Sequence, residues 1–259
     1  MAWTDRQHRL LRAMGLRVWS PVAPAALQPA PDPGLAQVRA PTRDAQPSAQ
    51  EAGVPRSVAS LDWPALREAV AACRACDLCS TRRQTVFGVG GPRAHWMVIG
   101  EAPGEQEDRQ GEPFVGPAGR LLDSMLAALG LTRDPEADDP ARQVYIANTL
   151  KCRPPGNRNP SDEEMAQCEP FLVRQIELLR PRIILAMGRF AVQALLRTDE
   201  AVGRLRGRVH RYQGVPLIVT YHPAYLLRNL PDKARAWQDL CLAAATAETA
   251  ETPDPAAAR

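Results

Sequence analysis

The stretch HWMVIGEAPG, residues 95–104, decides the fold class of this chain of 259 residues. A short apolar run that leads straight into a glycine-containing polar loop is typical of a buried strand ending at a turn. Further apolar runs lie at residues 144–148, 182–188 and 216–221, and segments with helical spacing separate them. This alternation predicts an α/β domain with helices on both sides of a central, mostly parallel four-stranded sheet.

The helical segments carry their own start and stop signals. Ser161 and Glu164 form a capping-box pattern at a helix start, and Gly130 is a stop signal after a leucine-rich segment. Residues 208–212 are predicted as a hairpin partner for the last strand. The predicted helices span residues 62–73, 118–129 and 161–179, a segment that ends near residue 196, and residues 231–246.

Composition divides the chain into four parts. Residues 1–20 are predicted to hold a short helix, over residues 4–19, that could serve as a motif for a protein partner. Residues 21–60 are rich in Pro, Ala, Gln and Ser and lack aromatic residues, which predicts a disordered linker. The folded domain is expected over residues 61–246, and residues 247–259 are expected to form a loose tail.

The composition also excludes several classes of protein. No apolar run reaches the ~18 residues that a membrane-spanning helix needs, and the first residues lack the apolar segment of a secretory signal. We therefore expect a reducing, cytoplasmic setting, where clustered cysteines are more often metal ligands than disulfides. The formal net charge of +3 permits nucleic-acid binding without arguing for it.

Polar residues follow three of the predicted strands. Glu101, Glu107 and Asp108 belong to the loop after the first strand, Asn148 ends the second, and His222 follows the last. Because ligands bind at the carboxyl ends of strands in such sheets, this convergence predicts an active site there. Each residue also has an ordinary interpretation, as a turn, a cap or a structural histidine, and Phe114 could be plain core.

Four cysteines, Cys73, Cys76, Cys152 and Cys168, have the pattern of a close pair plus two distant thiols. Four thiolates can hold either a structural zinc ion or an iron–sulfur cluster, and spacing alone leaves both open. Cys79 is an additional thiol that could be a spare or alternative ligand, and Cys241 is expected in the core.

Six motifs occur in order along the chain: Cys73-x-x-Cys76, VFG at 86–88, GEAPGE at 100–105, the stretch 111–119, the stretch 148–157, and HPAYLLRN at 222–229. Together they resemble the family 4 uracil-DNA glycosylases, the iron–sulfur members of the uracil-DNA glycosylase superfamily. This resemblance implies a uracil-DNA glycosylase-like fold and a structural [4Fe–4S] cluster held by Cys73, Cys76, Cys152 and Cys168.

The resemblance also implies roles for residues of the site. Phe114 would stack on the flipped base, Asn148 would pair with uracil O4 and N3–H, and His222 would donate to uracil O2. The residues expected to contact uracil are Glu101, Ala102, Pro103, Phe114, Asn148 and His222.

The carboxylate that stabilises the sugar cation and positions water is less directly indicated. The best-known uracil glycosylases have an aspartate where this chain has Ala102, so we assign the role to Glu101 first and to Glu107 second. With His222, these form the predicted catalytic set.

DNA contacts are expected mainly after His222. Leu226 or Leu227 could wedge into the duplex, or could simply pack on the core. Arg228, Lys151 and Arg153 are predicted to contact phosphates.

These residues predict a monofunctional DNA repair enzyme that hydrolyses the uracil–deoxyribose bond in single- and double-stranded DNA and leaves an abasic site. Apart from Lys151, no lysine stands near the loops to act as a nucleophile. The alternative is a module that binds uracil-DNA or traps it covalently without turnover. The histidine that a trapping branch uses is absent from residues 149–156. We expect a monomer associated with the bacterial nucleoid.

Overall fold

The computed structural model describes residues 58–250. The predicted helix at 4–19, its partner motif and almost all of the predicted linker lie outside the described residues. Within them, no helix is both long and apolar enough to cross a membrane. The strands are β1 (Trp96–Gly100), β2 (Val144–Asn148), β3 (Ile183–Met187), β4 (Val209–Tyr212) and β5 (Val215–Thr220).

Helices connect the strands and cover the sheet. Short 3-10 turns lie at Val58–Ser60, Pro155–Asn157 and Leu230–Asp232. The helices are α1 (Trp63–Ala72), α2 (Leu78–Thr81), α3 (Glu105–Gln110), α4 (Pro117–Ala128), α5 (Asp162–Leu179), α6 (Arg189–Leu196), α7 (Val202–Leu205), α8 (Pro223–Arg228) and α9 (Lys233–Thr249).

The sheet has the strand order β2-β1-β3-β5-β4. The first four of these strands are parallel, and β4 pairs antiparallel with β5 at one edge. The predicted α/β fold class is confirmed. The sheet has a fifth strand because the hairpin partner expected near residues 208–212 joins its edge.

Burial explains why the four parallel strands are almost continuously apolar. Every residue of β1, β2 and β3 is buried, as expected for strands covered on both faces. One core lies under α5 and α6, with Leu172 and Ile176 among its members. The other lies under α4 and α9, with Leu122 and Leu240. The domain therefore has three layers.

The helix signals read from the sequence are largely borne out. Ser161 and Glu164 form the reciprocal capping box, with Glu164 N–H donating to Ser161 Oγ at 3.2 Å and Ser161 N–H to Glu164 Oε2 at 2.9 Å. The last helix, however, continues to Thr249, into the segment predicted as tail. Cys241 was expected in the core but is exposed on that helix.

Candidate active site

The loop after β1 is tied to the segment after β2 by main-chain hydrogen bonds. Thr149 N–H donates to Gly100 O at 3.0 Å, and Leu150 N–H donates to Glu101 O at 3.1 Å. The parallel register also places Gly100 beside Asn148. Because β1 has β2 on one side and β3 on the other, these residues lie at the point where the strand order reverses, the usual ligand position in such sheets.

Asn148 ends β2 with its side chain directed into this edge. The residue is 2% exposed, and its Oδ1 is buried without a hydrogen-bond partner in residues 58–250. A buried amide oxygen left unpaired is costly, so this atom is a candidate contact for a ligand. Gly100 makes room for it, since a Cβ added there would lie 2.5 Å from Oδ1 and 2.6 Å from Phe114 Cζ.

Phe114 forms the adjacent wall of the site. Its backbone has a φ of 56°, which is uncommon for an aromatic residue. Gly119, in the first turn of α4, allows this arrangement, because an added Cβ would lie 1.7 Å from Phe114 O. The Phe114 ring stacks beside His222, with ring centroids 5.4 Å apart and an interplanar angle of 29°.

His222 caps the N-terminus of α8. Its Nδ1 accepts a hydrogen bond from Ala224 N–H at 3.2 Å. Burial, helped by the positive charge of Arg228 and opposed by Glu107, lowers the pKa of His222 to about 4. The imidazole is therefore neutral near pH 7, and the contact at Nδ1 assigns its proton to Nε2.

The three carboxylates of the loop occupy different environments. Glu107 accepts from Gly104 N–H at 3.1 Å through Oε2, and from two further main-chain N–H groups through Oε1: Val115 at 3.0 Å and Gly116 at 3.1 Å. Asp108 is 3% exposed and accepts from Arg83 N–H at 2.9 and 3.2 Å. Both carboxylates hold loops in place through these bonds.

Glu101 is different, because burial raises the pKa of its carboxyl group while Arg189 opposes the shift. Its neighbours Ala102 and Pro103 follow it out of the strand. Pro103 is buried, and Ala102 packs against a small cluster that includes Leu150 and Cys152. Their predicted contact with uracil stays a prediction.

Two of the predicted DNA contacts are buried. Lys151 and Leu226 are each 1% exposed, which argues against contact with a phosphate or a base step. Leu227, at 41% exposure, and Arg228 lie on the surface of the same segment and are available. Arg153 is partly buried, with Nε donating to Asn157 Oδ1 at 2.7 Å.

Lys151 is instead an internal donor. Its Nζ donates to Asn148 O at 2.8 Å and to Gln175 Oε1 at 2.6 Å. Burial lowers the pKa of Lys151 to about 8, against the opposing effect of the nearby Cys168 and Cys152 thiols. Sequence reasoning missed Gln175, since no local pattern marks a buried glutamine as a partner for a distant lysine.

The four cysteines expected to act together do surround one cavity. Cys73 follows α1, Cys76 precedes α2, Cys152 lies in the loop after β2, and Cys168 lies in α5. The additional thiol of Cys79 lines the same cavity. Burial raises the pKa values of Cys76 and Cys152 and raises the pKa of Cys168 to about 12.

Arg82 was missed by the sequence analysis, although it completes this cavity. Its Nη1 donates to Cys152 Sγ at 2.9 Å and its Nη2 to Cys73 O at 2.7 Å, while Lys151 N–H donates to Cys168 Sγ at 3.3 Å. In residues 58–250, no group of three or more His, Cys, Asp or Glu side chains is arranged to hold a single metal ion.

Comparison with known proteins agrees with this geometry. The family model of the Uracil DNA glycosylase superfamily matches residues 87–241, which include Asn148 and His222. A type-4 uracil-DNA glycosylase of Archaeoglobus fulgidus is 44% identical over 166 residues, 61% of this chain and 79% of that protein.

Two other relatives have the same name. Those of Sulfurisphaera tokodaii and Saccharolobus solfataricus are 42% and 41% identical over 63% and 64% of this chain, and over 75% and 77% of their own lengths. The chain belongs to the uracil-DNA glycosylase superfamily and, within it, to the type-4 uracil-DNA glycosylases.

Proposed function

We propose that this chain is a DNA repair hydrolase that removes uracil from single- and double-stranded DNA by cleaving the N-glycosidic bond, leaving an abasic site. The unpaired, buried Oδ1 of Asn148 is the observation that carries the proposal. Uracil offers a donor at N3–H and an acceptor at O4. Asn148 offers the matching acceptor at Oδ1 and donor at Nδ2.

Discrimination against cytosine follows from the same pairing. Cytosine has an acceptor at N3 and a donor at its 4-amino group, so it would leave both groups of a fixed Asn148 unpaired. A buried site loses much binding energy when its polar groups are unmatched, which makes this form of selectivity strong. The base reaches such a site only after it leaves the helical stack.

His222 supplies the electrostatic part of the reaction. Negative charge develops on the uracil ring as the bond to the sugar breaks, and the Nε2–H of a neutral His222 can donate to O2. A donor aimed at the developing charge stabilises the transition state more than the ground state. Phe114 would stack on the base, which contributes roughly 1–3 kcal/mol per base in comparable sites.

Glu101 is our assignment for the carboxylate that faces the sugar and positions water. The deoxyribose acquires oxocarbenium character as the bond breaks, by analogy with other glycosyl transfers, and a nearby negative charge favours it. Glu107, the second candidate, has both oxygens occupied by main-chain N–H groups. We therefore assign Glu107 to holding the loop rather than to chemistry.

The DNA-binding surface is proposed around the segment that follows His222. Leu227 is exposed and can fill the space that the flipped base leaves, and Arg228 and Arg153 can contact phosphates. Action on chromosomal DNA would place the enzyme at the nucleoid. That location and the monomeric state stay predictions.

Cys73, Cys76, Cys152 and Cys168 would hold a [4Fe–4S] cluster. An all-thiolate donor set suits such a cluster, and the N–H groups of Arg82 and Lys151 directed at sulfur are of the kind that tune it. A single zinc ion would use the same four thiolates, with each sulfur about 2.3 Å from the metal. The cluster would act structurally, by joining α1, α5 and the loop after Asn148.

A glycosylase assay tests the proposal. Protein purified anaerobically is incubated in EDTA with a labelled oligonucleotide containing one uracil, and alkali then cleaves abasic sites. We expect cleavage at uracil at a rate far above that at a matched cytosine. Asn148→Asp should lower the uracil rate by about 100-fold or more, because it loses the amide donor. Asn159→Asp, the same change on an exposed loop, should not.

Other outcomes separate the alternatives. Wild-type protein that retains the DNA on a gel without cleaving it would support a binding module and refute turnover. DNA that stays attached after denaturation would indicate covalent trapping.

A further inference from the structure

The buried Lys151 contacts the main chain of Asn148, the residue whose side-chain amide is proposed to pair with uracil. Lys151 is 1% exposed, and its Nζ donates to two neutral acceptors, Asn148 O at 2.8 Å and Gln175 Oε1 at 2.6 Å. Burying an ammonium group is costly, and an apolar side chain of similar volume usually stabilises a core as well or better. The two neutral acceptors alone therefore give little reason for a charge at this position.

The position of the ammonium group is fixed on both sides. Gln175 Nε2 donates to Phe87 O at 2.9 Å and to Tyr145 Oη at 3.2 Å, which leaves Gln175 Oε1 facing the lysine. The main chain of Lys151 is also held, because its N–H donates to Cys168 Sγ at 3.3 Å and its carbonyl accepts from Val86 N–H at 2.8 Å. Nζ has little freedom to leave Asn148.

The contact with Asn148 matters because the Oδ1 of that residue accepts no hydrogen bond within residues 58–250. No bond at Oδ1 therefore fixes the orientation of the amide. Its orientation depends on the main chain from which it projects. On one side Thr149 N–H donates to Gly100 O at 3.0 Å, and on the other Lys151 Nζ holds the Asn148 carbonyl.

We infer that Lys151 is a positioning residue for base discrimination: its ammonium group holds the main chain of Asn148 so that Oδ1 faces uracil N3–H. The inference rests on the proposed function. It adds to the Asn148 amide, which would pair with the base, the Lys151 ammonium group, which would orient that amide. It replaces the surface role predicted for Lys151 with an internal one.

The test compares Lys151→Met with Tyr145→Phe, both as cluster-containing full-length protein. Lys151→Met keeps the volume and removes the donor to Asn148 O. Tyr145→Phe perturbs the same buried network through Gln175 but leaves the lysine–asparagine contact in place. The readouts are single-turnover rates on matched uracil and cytosine oligonucleotides, KM for DNA, melting temperature, iron content and visible absorbance.

Lys151→Met should lower the uracil rate by about tenfold or more and reduce the ratio of uracil to cytosine rates, with KM changed by less than roughly twofold. Tyr145→Phe should keep both the rate and the ratio within roughly twofold of wild type. Equal losses in the two variants, or a wild-type rate and ratio in Lys151→Met, would overturn the inference.

A second variant keeps the test decisive if Lys151→Met does not fold. Gln175→Met removes one of the two acceptors that orient Nζ, and we expect a smaller fall in both the uracil rate and the ratio. An unchanged rate and ratio in a folded Gln175→Met protein would contradict the inference. Absence of uracil excision by the wild-type protein would instead refute the proposed function.

Discussion

Glu107 offers a prediction that separates a structural carboxylate from a catalytic one. It accepts three main-chain hydrogen bonds, from Gly104, Val115 and Gly116. Glu107→Ala would leave all three N–H groups without their acceptor. Bonds to a charged acceptor contribute about 1.5–3 kcal/mol each when buried. Glu107 is only partly buried, so we use about 1 kcal/mol for each bond, or about 3 kcal/mol in total.

Glu107→Gln provides the contrast. Its carboxamide oxygen can still accept from Val115 and Gly116, whereas the NH2 group cannot accept from Gly104, so the expected loss is about 1 kcal/mol. For a domain of this size, 1 kcal/mol lowers Tm by roughly 2–4 °C. Calorimetry should therefore give a fall of roughly 2–4 °C for Glu107→Gln and roughly 6–12 °C for Glu107→Ala.

The rate of uracil excision is the second measurement. If Glu107 only holds the loop, Glu107→Gln should keep its uracil-excision rate within about tenfold of wild type. Glu112→Gln, on the exposed loop that follows the same helix, is the matched control and should leave stability and rate unchanged. A Glu107→Gln protein with wild-type Tm and a rate lowered by about 100-fold or more would refute the reasoning and make Glu107 a catalytic group.

Two further predictions concern the segment after β5. Because the pKa of His222 is lowered to about 4, its imidazole should stay neutral on acidification until pH approaches 4, whereas the raised pKa of Glu101 should make the excision rate fall earlier. An NMR titration in which the His222 ring protonates near the ordinary histidine pKa would contradict the neutral assignment. Leu227→Ala should lower excision from duplex DNA more than from single strands at unchanged Tm. Leu226→Ala, which opens a cavity in the core, should cost about 2–5 kcal/mol of stability in a denaturant titration, and equal effects of the two changes on Tm would refute this distinction.

The fold and the placement of the site followed from local patterns. Apolar runs alternating with helical segments predicted the parallel sheet, and strand ends in a parallel sheet meet at one edge wherever they occur in the chain. The positions of Asn148 and His222 therefore needed only topology. The capping box at Ser161 needed only residues three apart.

The errors came from contacts between distant residues. A lysine normally lies in solvent, and no residue near Lys151 in the sequence indicates that Gln175 offers it a buried acceptor. Leu226 and Leu227 are indistinguishable by composition, and only the packing of a single helical turn makes one of them buried. The role of Glu107 depends on loop backbone at residues 115 and 116, whose path the sequence does not specify.

The order of the strands has a consequence for biosynthesis. The site combines the ends of β1 and β2 with His222, which follows β5, and β5 joins the sheet only through β3. A nascent chain that has emerged through Gln175 contains Asn148 and the residues that hold its main chain, yet it lacks the imidazole of His222. Parallel strand pairs of this kind form slowly, because the entropy cost of closing a long chain segment comes before the contacts that offset it. The active site is therefore complete only late in synthesis, when nearly the whole domain has left the ribosome.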